Sequence, residues 1–256
     1  PGHPRERRSE PMITAPQVLL WVVLPYVTIT VFVAGMIWRF RTDKFGWTTR
    51  SSELYERKML RIASPLFHFA LLAVVLGHIM GLVIPESWTS GLGISENTYH
   101  LMAVSLGLAS GACVLVGLAF LIYRRSTVRA VSSATTGNDR FMYVFLVAAI
   151  CLGLLTTVYG SGLLGESYNY RETVSPWFRS IFLLDPKPEL MAETPFSYQW
   201  HAVAGMLVFI IWPFTRLVHA FSAPIGYVFR PYVVYRSKGK QDVGSGVLSR
   251  GEERVG

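Results

Sequence analysis

Residues 62–84 read IASPLFHFALLAVVLGHIMGLVI, a run with no Asp, Glu, Lys or Arg whose ionisable side chains are two histidines, His68 and His78. A helix of this length spans a hydrocarbon layer of ~30 Å. Residues 200–221 read WHAVAGMLVFIIWPFTRLVHAF and carry a second pair, His201 and His219. An ionisable side chain within a membrane span is costly enough to mark a functional site, so two on each of two spans call for a buried partner. Imidazole nitrogen ligates haem iron, and facing helices of a bundle are where such cofactors are held. The four histidines therefore point to a membrane cytochrome with two haems.

Working outward, five apolar stretches have spanning length: 16–38, 62–84, 101–123, 141–164 and 200–221. They are too long and too continuously apolar for barrel strands, and backbone in hydrocarbon must bond within its own segment, so the expected fold is all-α, a bundle of five transmembrane helices. Composition agrees: hydrophobic residues make up 51% of the chain, mean hydropathy is +0.37, and charged residues are 16%, well under the roughly 25% of a soluble domain. With 256 residues and five spans, no soluble catalytic domain fits beside the bundle. Chemistry outside the bilayer must belong to partners.

The net charge of +8 reads as topology rather than as a nucleic-acid surface. Segments 39–61, 124–140 and the stretch after 221 hold 17 Lys and Arg, whereas those on the opposite side hold six. By the positive-inside rule the N-terminus is outside and the C-terminus cytoplasmic. The expected organisation is an outer tail over 1–15, a five-helix domain over 16–230 and a basic, partly flexible cytoplasmic tail over 231–256. If Met12 is the start, residues 1–11 are upstream or added; otherwise the chain is cut from something longer. Cys113 and Cys151 fall in apolar stretches and there is no C-x-x-C-H motif, so bound haem would be b-type, held by histidine alone. The long connection 165–199, rich in aromatics and prolines, is expected to pack at the outer interface, where it could roof a site.

With a rise of 1.5 Å per residue, His68 lies about 9 Å and His78 about 24 Å above the inner end of the second stretch. His201 sits at the outer end of the fifth stretch and His219 about 27 Å further down. Antiparallel spans then pair His78 with His201 and His68 with His219, while the crossed pairing mismatches depths by roughly 20 Å. The competing readings are buried hydrogen-bond partners, interfacial histidines, or a metal transporter. Zinc or copper sites usually recruit Cys, Met or carboxylates as well, and no acidic residue lies in the five stretches.

Other residues carry weaker signals. Arg216 is three residues before His219, on nearly the same face, where it could meet a haem propionate or snorkel to the interface. Arg124, Arg125 and Arg129 need do no more than set topology. Gly77 beside His78 could admit a porphyrin face; Gly107, Gly111 and Gly117 are better explained by helix packing. His100 stands at the outer end of the third stretch after Tyr99, near the depth of the outer histidine pair, and His3 lies in a polar tail.

At these residues the chain resembles the gamma subunit of membrane-bound respiratory nitrate reductase, a five-helix di-haem cytochrome b. The matching elements are Leu66-Phe67-His68, Gly77-His78, Ala109-Ser110-Gly111, Ala134-Thr135-Thr136-Gly137, Leu152-Gly153-Leu154-Leu155-Thr156 and Arg216-Leu217-Val218-His219 with Pro224 after it. The resemblance implies a bacterial inner-membrane subunit holding two haems b, the outer on His78 and His201 and the inner on His68 and His219. It further implies quinol oxidation near the outer haem, with electrons passing inward to an iron-sulfur beta subunit and then to a molybdenum-containing alpha subunit that reduces nitrate.

The family pattern includes a lysine near the outer start of the third helix, and Asn97-Thr98-Tyr99-His100 has none. Without a gap that position falls on Tyr99. Tyr99 or His100 could hydrogen-bond a quinol oxygen, and His100 could accept its proton. Besides a quinol-oxidising nitrate reductase subunit, two alternatives stand: the cytochrome b subunit of another reductase, such as one for sulfur compounds, and a haem-free transporter or scaffold. The basic surfaces at 39–61 and 227–236 are the expected dock for a soluble partner, or lipid-facing charge.

Overall fold

In a computed structural model of the chain, residues 13–43, 55–163 and 167–221 are described. The expected cytoplasmic tail, most of the outer N-terminal tail, Pro224, residues 44–54 of one basic docking segment and the whole of the other lie outside them. The described residues fall in one compact unit, and among them the regular elements are helical with no strand. We label α1 (Ala15–Thr42), α2 (Lys58–Val83), α3 (Glu86–Gly91), α4 (Glu96–Thr127), α5 (Arg129–Ser133), α6 (Gly137–Gly160), α7 (Val174–Phe182), α8 (Pro188–Ala192) and α9 (Phe196–Ile211). By length and composition, α1, α2, α4 and α6 can each cross a membrane. Each contains nearly the whole of its apolar stretch and extends beyond one or both ends, because polar flanks continue the helix until a cap or turn stops it. Thr136, for example, closes a capping box with Asp139 at the start of α6, satisfying backbone donors that a helix start leaves orphaned.

The fifth stretch is corrected. One helix over 200–221 is expected, but the α-helix ends at Ile211 and continues as two 3₁₀ segments, Trp212–Phe214 and Arg216–Phe221, separated by Thr215 at φ −117°, ψ 179°. Pro213 is the cause: it has no N–H to donate, and its ring collides with the carbonyl one turn back. The break is packed and satisfied. Pro213 seats against Gly35 of α1, where an added Cβ would lie 2.8 Å from the Pro213 Cβ. The Pro213 carbonyl accepts from Arg39 Nη1 at 3.1 Å, and the Phe214 carbonyl from Asn138 Nδ2 at 2.6 Å.

A second proline shapes α1. Pro25 cannot donate to the Trp21 carbonyl, the helix widens to a π-turn over Leu19–Val23, and Trp177 Nε1 donates to that carbonyl at 3.0 Å. Trp177 belongs to the long connection, which folds as α7 and α8 over this end of the bundle around Trp21, Val174, Trp177, Ile181 and Met191. Side chains of α7 also cap the last turn of α2: Ser175 Oγ donates to the Gly81 carbonyl at 2.7 Å and Arg179 Nη1 to that of Leu82 at 3.0 Å. Helix ends leave carbonyls unsatisfied, so these bonds tie the connection down.

The extensive seams among the described residues run α2 on α4, α4 on α6, α6 on α9 and α9 on α1. Small residues set their closeness. At Gly117 of α4 an added Cβ would lie 2.8 Å from the Phe67 backbone nitrogen and 2.9 Å from its Cα, so α2 and α4 touch backbone to side-chain-free backbone. Gly117→Ala is expected to force these axes apart and to destabilise by about 1–3 kcal/mol, as overpacking does. Thermal unfolding in detergent, with an unchanged midpoint as the contrary result, checks it.

Candidate functional site

The structure brings the four span histidines together in two pairs. His78 of α2 and His201 of α9 have ring centres 5.9 Å apart, and His68 of α2 and His219 of the last 3₁₀ segment are 6.0 Å apart. Every ring is oriented by a backbone carbonyl. His68 Nδ1 meets the Ser64 carbonyl at 2.7 Å, His78 Nδ1 that of Val74 at 2.8 Å, His201 Nδ1 that of Ala149 at 3.1 Å and His219 Nδ1 that of Arg216 at 2.5 Å. A carbonyl oxygen only accepts, so each Nδ1 carries a proton, and Nε2 is the nitrogen left to face a ligand. Carbonyl support of one ring nitrogen is how proteins orient an imidazole for metal ligation through the other.

The spacing suits one metal per pair. With ring centres 5.9 and 6.0 Å apart, His78 with His201, and His68 with His219, would each hold one metal-bearing group between them, which would supply redox chemistry. Among the described residues, no group of three or more His, Cys, Asp and Glu gathers that could hold an ion. Each pair therefore offers two imidazoles, which would suit a macrocycle that supplies the remaining ligands itself. The glycines around the rings fit a bulky group too. Beside His78 and one turn beyond His201, a Cβ added at Gly77 or Gly205 would meet nothing within 4 Å. Gly153 of α6 does the opposite: its missing Cβ admits the His201 ring, whose Cε1 would lie 2.8 Å from such an atom.

The guanidinium of Arg216, expected to meet a propionate or the interface, forks onto Asp139, Nε to Oδ1 at 2.7 Å and Nη2 to Oδ2 at 2.6 Å. The pair is buried, with side chains 9% and 5% exposed. Asp139 lies just outside the expected fourth span, and packing of α6 on α9 carries it inward. Arg124 is likewise more than a topology marker: it is 1% exposed and donates from Nε to Glu56 Oε2 and from Nη2 to the Glu56 carbonyl, both at 2.6 Å.

At the opposite end of the bundle, Tyr99 is buried, with the Arg171 guanidinium 3.9 Å from its ring centre and its hydroxyl 3.4 Å from that of Tyr170. Burial, with the Tyr99 hydroxyl beside it, pushes the Tyr170 phenol up, so it stays protonated. Arg171, 4% exposed, also donates to Glu96 Oε2 at 3.0 Å and Thr89 Oγ1 at 2.9 Å. One face of Tyr99 is thus taken by protein. His100 is half-buried and donates from Nε2 to the Gly160 carbonyl at 3.3 Å, which leaves the lone pair on Nδ1. Reading the sequence alone missed Asp139, Asn138, Arg39 and Arg171. Only the Thr136-x-x-Asp139 capping pattern was visible there, and it announces a helix start rather than an ion pair.

The pattern of the family described as nitrate reductase gamma subunit matches residues 17–238. The chain is 60% identical over 220 residues to a nitrate reductase-like protein, NarX, of Mycobacterium tuberculosis; the match covers 86% of the chain but spans about a third, 34%, of that relative's length. It is 44% identical over 220 residues to the nitrate reductase gamma chain of Bacillus subtilis, covering 86% of the chain and 98% of the relative. Against the respiratory nitrate reductase 2 gamma chain of Escherichia coli it is 32% identical over 228 residues, covering 89% and 100%. With apolar helices long enough to cross a membrane and a match over most of its length, the chain belongs to the nitrate reductase gamma subunit family.

Proposed function

We propose that this chain is the di-haem cytochrome b subunit of a respiratory nitrate reductase, oxidising quinol near the outer membrane face and delivering the electrons to soluble iron-sulfur and molybdenum partners inside. The carrying observation is the two imidazole pairs, 5.9 and 6.0 Å between ring centres, each ring held through Nδ1 by a carbonyl. In this reading His78 and His201 hold the outer haem and His68 and His219 the inner. Bound haem supplies one-electron redox chemistry at two positions. The α9 segment with its 3₁₀ extension serves as the fifth span, and the basic loops place the N-terminus outside and the C-terminus in the cytoplasm.

Quinol loses two protons and two electrons on becoming quinone. His100 is the group proposed to take the first proton: its Nε2–H is committed to the Gly160 carbonyl, so its Nδ1 accepts from a quinol hydroxyl. Gly77, exposed beside His78, leaves room for the quinol ring. Tyr99, held between Arg171 and Tyr170, shapes the wall of the site. Proton release outside combined with electron transfer inward would store about 2.3 kcal/mol per charge per 100 mV.

A reduced-minus-oxidised visible spectrum of the purified protein tests the reading. A b-type band is expected, and its absence would sink it. His100→Ala is expected to keep both haems while lowering quinol oxidation about 100-fold or more, the usual contribution of a positioned base; full activity in that variant would remove His100 from the proposal.

A further inference from the structure

We propose that the Asp139–Arg216 pair is a positioning device for His219, setting the placement and tilt of its imidazole at the inner haem; this rests on the reading of His68 and His219 as haem ligands. The chain of contacts is continuous. The Asp139 carboxylate is itself fixed by the Thr136 backbone N–H, which donates to Oδ2 at 3.0 Å. Asp139 then takes Arg216 by both oxygens, at 2.7 and 2.6 Å, and the carbonyl of the same Arg216 accepts from His219 Nδ1. A two-point carboxylate–guanidinium contact constrains direction as well as distance.

The break at Pro213 explains why such a device is needed. Past Thr215 the backbone no longer follows the axis of α9, so rigidity of that helix does not fix the direction of Arg216–Phe221. Contacts from other helices do so instead. Arg39 of α1 holds the Pro213 carbonyl, Asn138 of α6 holds that of Phe214, and Asp139, the next residue of α6, holds the Arg216 side chain. Two adjacent residues at the start of α6, Asn138 and Asp139, thus grip Phe214 and Arg216, both within five positions of His219. A buried ion pair is a weak way to add stability, because desolvation offsets the attraction, and apolar residues of similar volume often do as well. Its directional geometry is what an apolar replacement lacks.

The test uses low-temperature electron paramagnetic resonance of the oxidised full chain in membranes, with the inner-haem signal identified as the one that disappears in His219→Ala. Arg216→Lys keeps the charge and loses the fork, and Thr136→Ala weakens the capping box while leaving the pair in place. The expected result is that Arg216→Lys shifts or abolishes the inner signal with the outer one unmoved, while Thr136→Ala lowers thermal stability and moves neither. An unmoved inner signal in Arg216→Lys, or the same shift in Thr136→Ala, overturns the positioning role. Should His219→Ala retain both signals, the haem assignment itself fails, an outcome separate from the first two.

Discussion

His219→Ala is expected to yield a protein with one b-type haem in place of two, and His68→Ala to yield the same protein spectroscopically. Each ring faces one partner at about 6 Å between centres, so on the proposed di-haem reading removal of either would leave that haem with a single imidazole. The pairing makes a sharper claim than the counts. The double variant His68→Ala/His219→Ala should lose nothing beyond either single change, because residues that act as a unit are strongly non-additive. His78→Ala combined with His219→Ala should remove both haems. Quinol-driven reduction of the partner subunits should fall by more than about 100-fold in every case, above the range seen when only outer-shell support of a ligand is lost. Haem extraction and the visible spectrum read the counts. Retention of one haem in His78→Ala/His219→Ala would show that the rings do not pair as their distances indicate.

If His78 and His201 hold a haem as proposed, Gly153→Val is expected to eliminate it and to spare the one proposed at His68 and His219. A Cβ at Gly153 would lie 2.8 Å from His201 Cε1 and 3.3 Å from each ring nitrogen, closer than such atoms normally come. The α6 backbone cannot recede, being packed on both α4 and α9, so the imidazole must rotate away. Rotation takes Nδ1 off the Ala149 carbonyl and moves Nε2 from its ligating direction. Overpacking adds about 1–3 kcal/mol of destabilisation, and Gly153→Ala should show a weaker version of both effects. Gly137→Ala, in the same helix but with nothing within 4 Å of the added atom, serves as the comparison and should change neither spectrum nor haem content. Equal loss of both haems in Gly153→Val would point to general unfolding and refute the local account.

Much of the fold was legible because hydrocarbon imposes a one-dimensional rule: a long run of apolar residues must be a helix, whichever neighbours it finds. Four spans could be read in this way, as could the antiparallel matching of histidine depths. The fifth shows where a run of apolar residues misleads. Pro213 lies in open view inside 200–221, yet hydropathy does not register a missing N–H, and the helix stops two residues before it. The depth of His219 reckoned on a continuous α-helix therefore rested on the wrong rise, although the pairing it suggested is the one the structure brings together.

The polar contacts were not legible for a different reason. Arg216 and Asp139 are 77 positions apart, Arg39 and Pro213 are 174 apart, and Arg171 and Glu96 are 75 apart. Such partners depend on which helices are neighbours and how each is rotated, and no local pattern encodes either. By itself the sequence determined what must be buried in lipid, which costly side chains must find partners there, and which family the chain resembles. Tertiary structure alone decided who those partners are: it gave Arg216 to Asp139, covered Tyr99 with Arg171, and held the His201 imidazole by the Ala149 carbonyl. Hydrophobic burial is set by composition along a run, whereas hydrogen bonds and ion pairs act over about 3 Å and in particular directions, so they exist only once packing has brought the atoms together.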